Sequence, residues 1–193
     1  MAVTINADTS NGLVMTPDTS GEIKLQSGGT DIATVDSSGI TMASGKVLAP
    51  TGPAFSAYAS TDQTLTNNVW TKIAIDTERY DTDSCFDTST YRFTPNVAGY
   101  YQVNVVGRMD GATYTIRSVG IYKNGDKYAT QAVNRESTSS SIVVSGSDLI
   151  YMNGSTDYLE CFCLAAVSSG TPKADAFSST DTSLFSAFLA RAA

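Results

Sequence analysis

The aromatic residues of this 193-residue chain are confined to one part of it: all seven phenylalanines, all ten tyrosines and the single tryptophan lie at or after Phe55. Aromatic side chains contribute much of the buried area of a core, so residues 1–54 cannot build an ordinary one. They are nonetheless patterned. GEIKLQSGG, TDIATVDSSG and ITMASGKVL are short runs with apolar side chains at Ile23 and Leu25, at Ile32 and Val35, and at Ile40 and Met42, separated by turns rich in Gly and Ser. Such alternation marks strands. Strands this short are not stable alone, so the segment must lean on copies of itself or on a larger assembly; a flexible linker is the competing reading. Pro50 and Pro53, in APTGPA, mark a hinge that divides the chain into residues 1–50 and residues 51–193.

From Phe55 onward the chain reads as all-β. Runs such as NVWTKIAI, GYYQVNVVGRM, YTIRSVGIYK, SSIVVSG, YLECFCLAAV and SLFSAFLA recur between turns rich in Asn, Asp, Gly and Ser, at spacings that suit a sandwich. In YKNGDKY, Asn124 and Gly125 tolerate positive φ and predict a tight hairpin. Gly99 marks a turn ahead of the pair Tyr100 and Tyr101. Along GYYQVNVV, Tyr101, Val103 and Val105 share one face of a strand, while Tyr100, Gln102 and Asn104 share the other. The last run is apolar on both faces: Leu184, Ser186 and Phe188 point one way, Phe185, Ala187 and Leu189 the other. A strand with two apolar faces is expected to be buried on both.

Several function classes are disfavoured. A formal charge of −7, with 12 scattered Lys and Arg, gives no basic patch for nucleic acid. No run approaches the ~20 apolar residues of a membrane helix, and MAVTINADTSNG has neither the basic nor the apolar region of a signal peptide. A soluble protein made in a cytoplasm is the expectation. The chain has no histidine, hence no Ser-His or Cys-His nucleophile and no imidazole base or metal ligand. GITMASGKV mimics a phosphate loop, but it has five residues between its glycines where the motif has four, and Val47 where a Ser or Thr belongs. No catalytic, cofactor-binding or metal site is therefore assigned. The acidic stretch DTERYDTDSCFD lacks calcium-loop spacing and reads as a solvated loop. Cys85, Cys161 and Cys163 read as buried thiols, since Cys161 and Cys163, two apart on one strand face, are badly placed to bond each other.

The order PAFSAY, WTKI, FDTSTYRFTPNVAGYYQV, IYKNG, SDLIYMNGSTDYLEC and SLFSAFL resembles the C1q/TNF-like jelly roll over roughly residues 54–190. The R-F-T-P-x-V-A-G-Y-Y block and the closing S-x-F-S-A-F-L strand are the specific parts. With neither a collagen repeat nor a signal peptide, the likeness is to phage and bacterial versions of the domain, and the SGGTDIATVDSSGIT pattern is similar to the leaders of phage fibre and capsid-associated proteins. The resemblance implies a homotrimer. It gives Tyr100, Phe185 and Leu189 as trimer-interface residues; cover by loops of the same chain is the alternative for such outward aromatics.

The function expected is that of a phage virion protein made in the host bacterial cytoplasm. It would be a homotrimeric surface spike, head fibre or capsid decoration, docked on other virion proteins through residues 1–50. The jelly-roll head would project for adhesion or host-surface glycan binding. A tail-fibre or receptor-binding tip is one alternative. A free-standing, lectin-like glycan-binding trimer, reading its ligand with residues 106–115 and 134–141, is another. No enzyme activity, cofactor, nucleic acid or membrane insertion is expected.

Overall fold

The computed structural model describes residues 21–46, 52–135, 137–178 and 181–193. The chain divides into two units, Met1–Thr51 and Gly52–Ala193, and each is described by itself. The expected hinge residue Pro50 lies outside the described residues. Pro53 is buried, and its carbonyl accepts from the amide of Leu189 at 3.0 Å.

In the first unit the three alternating runs form strands β1 (Ile23–Ser27), β2 (Thr30–Asp36) and β3 (Gly39–Met42), paired antiparallel in the order β1-β2-β3. Gly28 and Gly29, both at positive φ (57° and 76°), make the two-residue turn from β1 to β2, a conformation that suits glycine. The register brings Ile23, Val35 and Ile40 into one cross-strand row and Leu25, Ala33 and Met42 into the next. Ile32 does not join them: it is the extra residue where the β1–β2 register shifts, and Ala33 takes its place in the row.

The second unit is all-β, with no helix among the described residues. Its strands are β4 (Ala54–Tyr58), β5 (Gln63–Thr64), β6 (Trp70–Lys72), β7 (Thr77–Asp81), β8 (Phe86–Asp87), β9 (Arg92–Phe93) and β10 (Ala98–Lys123), followed by β11 (Asp126–Asn134), β12 (Ile142–Asn153), β13 (Leu159–Ala174), β14 (Ala176–Ser178), β15 (Asp181–Thr182) and β16 (Leu184–Ala192). β10 belongs to two layers. Its first half pairs with β12 on one side and β16 on the other, giving a layer β7-β4-β16-β10-β12. Its second half pairs with β11 and β13, and β13 carries β5, β6 and β9. Between the halves the register shifts beside Gly111, at φ 86°, where Ala112 pairs with Gly170, also at φ 86°. A side chain at either glycine would strike backbone across the bend.

The layers enclose one core. Phe55 of β4 stacks on Phe86 (4.5 Å between centroids) and Phe93 (4.7 Å) and meets Phe185 edge-on (4.9 Å). Tyr101, Val103 and Val105 all point into it, as the alternation predicts. Asn124 and Gly125, at φ 56° and 87°, form the predicted hairpin between β10 and β11. Gly99, expected in a turn, is instead the second residue of β10, where a Cβ would strike the carbonyl oxygen of Arg191. All three cysteines are free and buried; burial pushes the Cys161 thiol up to about 12 and Cys163 well above its ordinary value.

Candidate interaction face

Because β4, β16, the first half of β10, and β12 each send alternate side chains inward, the other half of their residues builds a continuous outer surface. The register fixes its rows. Ala54, Phe188, Gln102 and Leu149 are successive neighbours across the four strands; the next row is Ser56, Ser186, Asn104 and Ser147; the third is Tyr58, Leu184, Val106 and Ser145. Beyond Leu149, Tyr100 pairs with Tyr151, their rings edge-to-face at 5.5 Å. Tyr100 is 44% exposed, Phe188 48% and Leu149 53%, so large apolar groups stand in solvent on a single face.

Charge is absent from these rows. Arg108, bound to Asp175 at 2.7 Å, lies at one end of the face, and Arg191, opposite Tyr100, at the other. An uncharged, aromatic centre with charges at its margins is the composition of a protein–protein interface. Polarity enters through the middle row, where the Asn104 amide donates to Ser186 Oγ at 3.4 Å.

Of the residues expected at an interface, Tyr100 stands on this face. Phe185 and Leu189 do not. Phe185 pairs with Val105 and Leu189 with Tyr101, so both share the inward side of those residues; Phe185 is fully buried and Leu189 packs against the core. Their outward neighbours on β16, Phe188 and Leu184, occupy the face instead. Leu149 and Tyr151 were missed, although LIYM alternates against the inward Ile150 and Met152 and carries the signal.

Residues 106–115, expected as a ligand-reading loop, lie within β10. The loop after Asn134 is pinned from below. Arg117, buried and stacked at 4.0 Å on Tyr114, donates to the carbonyls of Thr138 (3.0 Å) and Ser140 (2.9 Å). Nor is the acidic stretch a simple loop, since Thr77–Asp81 is edge strand β7 paired with β4. Asp81 accepts from the amide of Phe86 at 2.8 Å. Asp87 accepts from the amide and hydroxyl of Ser89 (2.8 and 2.6 Å) and from the Thr90 hydroxyl (2.8 Å), and these bonds hold its carboxyl at about 2. Among the described residues, no three of His, Cys, Asp or Glu are grouped so as to hold a metal ion.

The outer surface of the other layer carries a smaller aromatic patch. Tyr122 stacks on Phe162 at 3.7 Å, with the Trp70 ring 6.2 Å from Tyr122 and the Lys127 ammonium 5.5 Å above the indole. Beside it Glu160, almost wholly buried, accepts from Lys72 (3.1 Å) and Arg92 (2.9 Å).

No protein-family model matches the chain, and no curated protein matches it. Solved structures do. The globular domain of zebrafish complement 1qA protein superposes with a TM-score of 0.56 at 16% identity, covering 74% of this chain and 100% of that one. Murine APRIL, a TNF-family protein, superposes with a TM-score of 0.50 at 9% identity, covering 72% and 100%. The fold is a C1q/TNF-like jelly roll. At these identities the likeness establishes the fold alone. The two neighbours come from non-enzymatic families.

Proposed function

We propose that this chain is a homotrimeric structural protein of a bacteriophage virion, a surface spike, head fibre or capsid decoration. Residues 1–50 dock it on the particle, and its jelly-roll head projects for adhesion. The observation that carries the trimer is the outer face of the first layer. A monomer would leave Tyr100, Tyr151, Leu149 and Phe188 together in water, and copies of the same face around an axis would cover them. C1q/TNF-like domains typically form homotrimers, which supports this arrangement. The virion assignment rests on the leader, whose alternating runs and Gly/Ser turns are similar to those of phage fibre and capsid-associated proteins.

Light scattering at low micromolar concentration tests the assembly: a mass of three chains is expected, and a monomer overturns it. Imaging of phage particles tests the placement, with a trimeric knob lost when residues 1–50 are deleted as the expected result. A second reading, a free-standing glycan-binding trimer, is favoured by the aromatic patch of Trp70, Tyr122 and Phe162, since aromatic rings pack against the apolar faces of sugars. Glycan binding by a chain that never joins particles would select it.

A further inference from the structure

The meander β1-β2-β3 has one apolar face, and its side chains are graded by size. At one level the row reads Leu25, Ala33, Met42; at the next, Ile23, Val35, Ile40. The smaller residue stands on the middle strand at both levels, so the face is a trough. Ala33 is 4% exposed at its floor, whereas Leu25 (51%) and Ile40 (70%) rise from its sides into solvent. The reverse face is polar, with Lys24, Thr34 and Thr41 in one row and Asp31 bound to Lys24 at 3.5 Å.

We infer that this trough closes on two further copies of itself, forming a three-sided prism with Ala33 and Val35 nearest the axis. Two such sheets packed face to face would lie about 10 Å apart and need side chains long enough to fill that space over the middle strand, where this sequence has its smallest. A flat partner surface would leave the same gap over Ala33, and voids in an interface forfeit contacts. Three sheets around an axis reverse the requirement. With strands about 4.8 Å apart, a triangular arrangement brings each middle strand to about 5 Å from the axis and leaves the outer strands about 7 Å away. Alanine and valine fit the first distance; leucine, isoleucine and methionine fill the corners. At each corner β1 of one copy meets β3 of the next, so Ile23 faces the neighbour's Ile40. This inference rests on the trimeric reading above, and it assigns the apolar face of the leader to sister chains rather than to the particle.

The test is an Ile23→Cys, Ile40→Cys double variant of the full chain, oxidised mildly, alkylated and run on a non-reducing gel. Within one chain these positions are two strands apart, about 10 Å, beyond disulfide reach. Any bond therefore joins different chains. A closed heterologous ring predicts a covalent trimer. The native thiols, buried with raised pKa values, do not compete. Covalent dimers that never progress to trimers overturn the prism in favour of a two-layer pair. Uncrosslinked chains in a protein that still scatters as a trimer overturn the prism and leave the trimeric head standing; a monomer by scattering overturns both. A Leu25→Cys, Met42→Cys double variant, at the other level of the same corner, guards against a misfolded first variant: these positions too lie two strands apart within one chain, and the prism predicts the same covalent trimer. Complete conversion to dimers, or no crosslink at all, overturns the inference.

Discussion

Gly107 and Cys163 face each other across the sandwich so closely that a Cβ on Gly107 would lie 2.6 Å from Sγ of Cys163 and 3.3 Å from Cε of Met109. The two residues come from different layers, and the missing side chain at 107 is what lets the layers approach. Gly107→Ala is therefore an overpacking mutation, expected to lower stability by about 1–3 kcal/mol. A Cys163→Ala change in the same chain makes room and should restore a substantial part of the loss, so the two effects should be non-additive. Urea denaturation of the four members of this cycle measures the coupling. Additive effects would mean that the layers do not meet at these residues.

Asp87 gives a prediction in acid. Its folded-state pKa, held at about 2 by the Ser89 and Thr90 hydrogen bonds, lies below the ordinary carboxylate value of about 4. The stabilisation it provides is complete above pH 4 and disappears as the pH falls through 2, because protonation removes the charge that strengthens these bonds. An Asp87→Asn variant should thus lose stability at pH 7, and its deficit against the wild type should shrink between pH 4 and pH 2. A deficit independent of pH would show that the charge is not what the loop uses.

How far the sequence reveals this fold depends on which physical signal each segment carries. Period-two alternation fixes the faces of Tyr100 and Tyr101, because one parity is apolar and the other mixed. In SLFSAFLA both parities are apolar, and alternation alone cannot say which is inside. That is decided by register against β10, a long-range pairing that places Phe185 beside Val105. The Asn124–Gly125 hairpin is local chemistry and is readable directly. Gly107, Asp110 and Gly111 look like loop punctuation around residues 106–115, yet they mark close layer contact and the bend of an unbroken strand. Charges in Thr77–Asp81 suggest a loop, but an edge strand tolerates them because one side of it meets water. In the leader, the larger Ile32 draws attention away from Ala33, and a bulge is invisible to a count by twos.

Arg117 ties the loop after β11 to the core. Its guanidinium is fully buried and lies over Tyr114, a planar contact that lysine cannot reproduce, and a single nitrogen, Nη2, donates to both carbonyls. Arg117→Leu should cost about 2–4 kcal/mol, since it strands the Thr138 and Ser140 carbonyls, and Arg117→Lys should cost less but measurably, since it loses the planar contact with Tyr114. Proteolytic nicking within residues 137–141 should accelerate in both. Unchanged stability in Arg117→Lys would show that charge alone suffices there.

Phe185 and Phe188, three residues apart on β16, should respond in opposite ways. Phe185 is fully buried against Phe55 and Phe86, so Phe185→Ala opens a cavity at the centre of the core and should cost about 3–5 kcal/mol of folding stability. Phe188 stands on the outer face, 48% exposed, beside Gln102 and Ala54. Phe188→Glu removes little from the core and leaves the circular dichroism spectrum of a folded sandwich. In an assembled trimer, however, it would bring three carboxylates into an uncharged apolar contact, where unpaired charge is strongly disfavoured. The variant is expected to scatter as a folded monomer, or to need a far higher concentration to assemble. A Phe188→Leu control keeps the apolar contact and should remain trimeric. If Phe188→Glu assembles like the wild type, the outer face of β4, β16, β10 and β12 is not the contact that joins the chains. If instead it unfolds, Phe188 contributes to the core more than its exposure indicates.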